Sequence, residues 1–405
     1  MNRWNVRLAT VLAIALLGSL ACNYLPRITA LLILAAAALA AAESIRTRRI
    51  PPEALLLALP FGYWALSFLV TGESWSVFFS PEFQRRDGNM YASLIPMAAL
   101  AALRLDRDRM RGAILLYLIA QAAVAAAGAV SVLGGWTSMI YKTAVLVDQE
   151  PTFFGFYVAH NATASVFCLL ALGALAWALL NDLGPRFRGL LMGVAILLTL
   201  GTVLARSRGV FLALMAGAGF VVFRALRRGV PRRFLGPTIL GLIVAVLAGG
   251  ALLFPRFARM GEIGADDFRK KVWARAWDDF KRSPVVGVGF GRFNDQHHRE
   301  FASVGIGEVV RKADVVNDDY HAHNSYLHWL AEGGVAGLAV MTAFWILAAR
   351  RLDSRDKFLR EWALAGIVAM AVMSLTEHYA GGGVFLVHLA FLIGVHGSGR
   401  EVAPA

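Results

Sequence analysis

Long apolar blocks alternate with short charged clusters along nearly the whole 405-residue chain. No other feature restricts its fold as strongly. A helix needs about 20 mostly apolar residues to cross the hydrocarbon of a bilayer. Backbone in lipid must satisfy its own hydrogen bonds, and blocks of this length do so as helices. The composition agrees: 58% of residues are hydrophobic and 17% charged, against about 45–50% and about 25% in soluble domains. A soluble globular enzyme, a disordered chain and a collagenous or disulfide-stapled scaffold are excluded. Cys22 and Cys168 sit far apart in apolar blocks, which argues against a disulfide or a metal site.

The pattern predicts an all-α polytopic integral membrane protein with about 12 transmembrane helices, at 8–25, 28–42, 53–70, 90–103, 112–133, 157–180, 189–205, 209–223, 234–254, 333–349, 362–376 and 381–397. The loops set the orientation. Basic clusters follow every even-numbered span, as with Arg46, Arg48 and Arg49 after the second and Arg224, Arg227 and Arg228 after the eighth. Lys and Arg collect on the cytoplasmic side, so both termini are expected there. The chain then divides into spans 1–9 (residues 1–254), one large outer, periplasmic loop with helical content (255–332), and spans 10–12 with a cytoplasmic C-terminus (333–405). A net charge of +13 would suggest nucleic acid in a soluble protein. Here it belongs first to topology, and no nucleic-acid partner is expected. Orientation accounts for 22 of the 40 Lys and Arg; 18 remain outside, 12 of them in 255–332.

Two features fall on the outer side. The first is the tight turn Ala205-Arg206-Ser207-Arg208 between spans 7 and 8, whose arginines oppose the charge bias. They read either as anchors to lipid headgroups or as a diphosphate site, since a planar guanidinium binds phosphate through two hydrogen bonds. The second is the loop. Its residues 266–282 carry Phe268, Val272, Trp273, Ala276, Trp277 and Phe280 at helical spacing, a helix lying in the interface or packed on the rest of the loop. The run Gly287-Val288-Gly289-Phe290-Gly291 has the wrong spacing for a dinucleotide fingerprint and reads as backbone passing close to another element. The segment from Asn317 to Gly334 holds His321, His323 and His328. Asn317 or Asp318 can cap a helix here and Gly333 can close it. No His-x3-His pair is present, so a zinc site fits poorly; a histidine's other role is general base.

Taken in order, these residues resemble a family. Ser207-Arg208-Gly209 opens a span, with Leu212 four residues after Arg208. Arg269 and Trp273 precede the 284–291 glycine run. His323-Asn324-Ser325-Tyr326-Leu327 then leads to Glu332-Gly333-Gly334 entering the next span. The order is similar to that of the O-antigen ligase and polymerase superfamily over about residues 190–345. The resemblance implies an inverting, metal-independent glycosyltransferase of GT-C type, with no cofactor, on the outer face of the bacterial inner membrane. The donor would be an undecaprenyl-diphosphate-linked glycan. The acceptor would be a sugar hydroxyl of lipid A-core in a ligase, another lipid-linked repeat in a polymerase, or protein Ser or Thr in related enzymes. The ligase is preferred, and the compact outer loop disfavours the protein-glycosylating relatives.

Such a catalyst must take a proton from the acceptor hydroxyl and stabilise charge on the departing diphosphate. His323 is the expected base, and Arg208, then Arg206, the diphosphate ligands. Arg269 and Arg292 in the loop, and Arg85 and Arg86 between spans 3 and 4, are further candidate contacts. His321 is expected to orient His323, or to be the base itself. Glu332 falls opposite His323 on an ideal helix and reads as structural. The run 381–383 beside Glu377 and His378 reads as helix packing, with a role in shaping the donor site as the alternative. A lipid-linked glycan transporter or flippase is the rival class; spans almost free of ionisable residues argue against it.

Overall fold

The computed structural model describes residues 3–21, 26–71, 81–134, 144–147, 150–153, 157, 160–258, 265–290, 292–293, 322–353, 356–377 and 383–398. Its helices are α1 (Arg3–Ser19), α2 (Pro26–Thr47), α3 (Pro52–Thr71), α4 (Pro81–Ala102), α5 (Arg107–Leu133), α6 (His160–Leu180), α7 (Pro185–Leu204), α8 (Arg208–Arg227), α9 (Arg232–Ala258), α10 (Ala265–Arg282), α11 (Ser325–Arg351), α12 (Lys357–Met373) and α13 (Val384–Gly397). Each expected span overlaps one of these helices. Eight helices are long and apolar enough to cross a membrane, and α1, α4 and α13 contain shorter apolar stretches. The chain is a multi-pass helical membrane protein.

Local chemistry sets the helix starts. Proline opens α2, α3, α4 and α7, where its missing N–H has no helical partner to lose. Asp106, Asn324 and Asp356 cap α5, α11 and α12 by accepting from backbone N–H groups of the first turn. α4 begins nine residues before the apolar run at 90, so Arg85 and Arg86 fall within a helix and not in the loop expected for them. Hydropathy marks the stretch that lipid can cover, and a helix is free to extend past it.

α6 is the hub. Its residues 163–180 are all buried, as expected of a helix apolar all round. It packs against α7, α8, α12 and α13. Glycines permit the close approach. A Cβ on Gly173 would lie 2.2 Å from the Trp362 ring, and one on Gly201 would lie 2.6 Å from Phe167. The Trp362 indole donates to Leu169 O at 2.6 Å. A feature that hydropathy did not reveal lies within the expected outer loop 134–152. There β1 (Ala144–Val147) pairs antiparallel with β2 (Glu150–Phe153), Ala144 opposite Phe153. The buried Phe153 ring fills the space that a Cβ on Gly128 would occupy.

Contacts between distant parts of the chain sort the helix ends into two sets. At one end Arg111 pairs with Asp356 at 3.2 Å. The fully buried Glu361 there accepts from Arg224 and Arg228 at 2.8 Å each. These are the ends that carry the basic clusters. At the other end Gly209 meets Thr376, Gly289 meets Thr71, and Asn161 reaches Glu377. The alternation read from the loops is the alternation of the packed helices.

Candidate active site

The histidine motif lies at the second end. Asn324 Oδ1 accepts from Tyr326 N and Leu327 N, both at 3.0 Å. Asn324, and not Asn317 or Asp318, therefore caps α11; those two, with His321, lie outside the described residues. The Asn324 amide donates to Leu375 O at 3.1 Å, Ser325 N to Ser374 O at 2.8 Å, and the Ser325 hydroxyl to Glu377 O at 3.1 Å. Three consecutive contacts pin the motif to the turn that ends α12. One residue earlier, His323 has left-handed backbone, φ 46°, uncommon for a side-chain-bearing residue. It precedes the helix, so its direction is not the one an ideal helix gives. Its Nδ1 lies 2.9 Å from Glu377 Oε1. Asn161, in the first turn of α6, donates to the other Glu377 oxygen at 3.5 Å. Glu377 thus joins α6, α12 and the histidine motif.

The arginine turn leads into a helix start that meets the residue preceding Glu377. A Cβ on Gly209 would lie 1.8 Å from Thr376 Oγ1, which brings the start of α8 against the residue preceding Glu377. Ser207 is the N-cap residue and Arg208 the first residue of α8. Arg206 makes the reversal with φ 56°. His323 and the turn that carries Arg206 and Arg208, more than a hundred residues apart in sequence, therefore meet the same turn of backbone after α12.

The glycine run meets α11 as a close backbone approach. Val288 N donates to Ala331 O, Gly289 N to Glu332 O, Val335 N to Pro284 O and Ala336 N to Val285 O, at 2.9–3.1 Å. A Cβ on Gly287 would lie 2.2 Å from the Glu332 carbonyl, and one on Gly334 would lie 2.3 Å from Val285 O. The first helical stretch of α11 ends at Gly333, as expected: Gly334 breaks it, with φ 61° and ψ −166°, and a second stretch runs on to Arg351. The kink frees the N–H groups of Val335 and Ala336 for the loop. Glu332 is structural in geometry: 1% exposed, it pairs with His328, 3% exposed, at 3.2 Å, and the Phe293 ring stands edge-on to His328.

α10 confirms the expected amphipathic helix, packed on its own loop. Val272 and Ala276 are buried with Phe293, Ala322 and Ala331, and Trp273 Nε1 donates to Ala322 O at 2.9 Å, next to His323. Trp277 remains 48% exposed. Arg269 sits one turn before Trp273. Arg292 lies by Gly289 and Thr71. The side chains of Arg85 and Arg86 lie outside the described residues.

The loop is not the cationic surface its Lys and Arg alone suggested. Its 12 Lys and Arg are matched by 12 Asp and Glu. Lys281 pairs with Asp278 at 2.7 Å and Arg282 with Asp279 at 3.2 Å. Hydrogen bonding to Lys281 holds the Asp278 carboxyl below its ordinary range. Sequence reasoning missed Glu377 as the partner of His323. An acidic residue ending an otherwise apolar span was the available signal.

Fold and site together define a polytopic membrane protein that presents a histidine–carboxylate pair beside an arginine turn at one membrane face. Residues 193–342 match the family model described as O-antigen ligase. The likeness read from the motifs is to the same superfamily, and the matched segment lies within the stretch that carries them. It runs from α7 through the arginine turn, α10 and the histidine motif into α11; Asn161 and Glu377 lie outside it. No curated protein matches the chain significantly.

Proposed function

We propose that this chain is an inverting, metal-independent glycosyltransferase that moves a glycan from undecaprenyl diphosphate to a sugar hydroxyl of lipid A-core, at the periplasmic face of the inner membrane. The single observation that carries the reading is the contact of His323 Nδ1 with Glu377 Oε1 beside the arginine turn. A carboxylate at Nδ1 favours the tautomer with its proton there, leaving Nε2 as the acceptor of a proton. Nε2 takes the proton of the acceptor hydroxyl as its oxygen bonds to the anomeric carbon. The bond from that carbon to the diphosphate oxygen breaks, and the electron pair leaves with the diphosphate. One displacement inverts the configuration. Arg208 and Arg206 neutralise the leaving group through charge-assisted hydrogen bonds. The family match supports glycan transfer of the ligase or polymerase type. The compact outer loop disfavours protein as the acceptor.

The test is transfer by purified protein from one undecaprenyl-diphosphate-linked donor to two acceptors, lipid A-core and a second lipid-linked repeat, without added divalent metal. Product on lipid A-core alone is the expected result. Product only on the lipid-linked repeat replaces ligase with polymerase, and a strict need for metal removes the arginine argument.

A further inference from the structure

Glu361 neutralises only part of the basic cluster at the ends of α7, α8 and α9. It accepts from Arg224 and Arg228. Arg186, Arg188, Arg227, Arg232 and Arg233 stand at the same three helix ends. Asp182 is the one acid between Asn181 and Met260. Among the described residues, none of these five arginines pairs with a carboxylate. Packing holds them close. Gly229, with φ 69°, closes α8, and Val230 N donates to Ala225 O across it at 3.1 Å, so Arg227 and Arg232 lie on the two sides of one tight turn. α7 meets this turn through Phe234. The Arg188 guanidinium carbon lies 3.9 Å from the centre of the Phe234 ring and that of Arg233 4.9 Å from it. Arg188 is fixed there by donating to Ala178 O at 3.0 Å and Asn181 O at 3.3 Å.

Orientation calls for basic residues on this side of the membrane, and arginines spread along a solvated loop would satisfy it. It does not call for two guanidinium groups converging on one ring with no acid between them. The cluster also borders the lipid-facing surface. Arg227 reaches over the Phe223 ring, which is 52% exposed, and Leu190 and Leu240, one to two turns into α7 and α9, are exposed. An anion that fits here carries apolar chains.

We infer that the ends of α7 and α9 form a binding site for an anionic phospholipid of the leaflet on that side, its phosphate held by Arg186 and Arg233 and its acyl chains lying along Leu190 and Leu240. A phosphodiester supplies the negative charge that the five arginines lack, and the guanidinium fork binds its oxygens through two hydrogen bonds. Arg188, committed to the two carbonyls, contributes its charge. Basic pockets between helix ends on the cytoplasmic side suit such headgroups. A zwitterionic lipid brings a cation of its own into the cluster and is disfavoured. The site lies at the opposite helix ends from His323 and does not rest on the function proposed above.

The test is native mass spectrometry of the full chain, released from detergent and titrated with dioleoyl phosphatidylglycerol or dioleoyl phosphatidylcholine. The wild type should bind its first phosphatidylglycerol more tightly than phosphatidylcholine. Arg186→Gln and Arg233→Gln remove exposed charges and leave the carbonyl contacts of Arg188 in place. Each should weaken phosphatidylglycerol about fivefold, and the double variant about thirtyfold, from the usual contribution of one basic residue at an anionic lipid surface. Phosphatidylcholine binding should not change. Arg350→Gln, in another basic cluster on the same side, should leave phosphatidylglycerol affinity unchanged, and excess glycerol 3-phosphate should not displace the lipid. Equal binding of the two lipids by the wild type would overturn the site. So would a loss in Arg350→Gln as large as in the double variant, which is general surface charge. Displacement by glycerol 3-phosphate would replace the lipid with a soluble phosphate ester.

Discussion

His323 Nδ1 and Glu377 Oε1 lie 2.9 Å apart across 54 residues of chain, and Asn161 holds the other oxygen of the same carboxylate. The imidazole therefore faces a carboxylate that follows α12 and is held from α6. His323→Ala should lower the turnover of lipid-linked donor about 10²–10⁴-fold, the range for a general base. Glu377→Gln keeps the shape and should cost less, about tenfold, in kcat with KM unchanged. Steady-state kinetics of both variants check this. Full turnover in a folded His323→Ala protein would remove the base assignment.

Arg206 combines a charge with a left-handed backbone. Such a conformation costs a side-chain-bearing residue about 1–2 kcal/mol, and glycine almost nothing. Arg206→Gly should therefore leave thermal stability within about 1 kcal/mol of wild type, relief of strain offsetting glycine's greater loss of backbone freedom. Donor affinity should fall. If Arg206 only makes the turn, the glycine variant retains full affinity.

The Gly334 backbone lies in a region that is essentially reserved for glycine. Gly334→Ala should cost at least about 1–3 kcal/mol from that conformation alone, before the overlap with Val285 O is counted. The same holds for Gly287→Ala against Glu332. Both variants should lower Tm and make the 284–290 segment more susceptible to proteolysis than wild type. Unchanged protection of that segment would show that the loop docks by other means.

At the opposite end, Glu361 is fully buried between Arg224 and Arg228. Glu361→Ala leaves two guanidinium groups without their shared carboxylate. Removing one partner of a buried pair typically costs about 3–5 kcal/mol, and the melting temperature should drop accordingly. Below that temperature the kcat of glycan transfer should match wild type, since the site lies at the other ends of these helices. A selective loss of kcat in folded protein would contradict this separation.

The sequence by itself determined the class of fold, the alternation of helix ends and the identity of the histidine and arginine motifs. Hydropathy periods are long and charge bias is additive, so each is legible without a partner in view. It also pointed to the glycine run meeting another element, since close approach of backbone is one of the two needs that glycine meets, the other being left-handed backbone. The tertiary structure decided what each motif meets. It brought Glu377 and Asn161 to His323 and set Gly209 on Thr376. Lys and Arg counted alone made the outer loop look cationic, because a one-sided tally records neither the acids nor who pairs with whom. Contacts between residues far apart in the chain depend on how helices pack, and a distance of 2.9 Å between two side chains exists only once the bundle has closed.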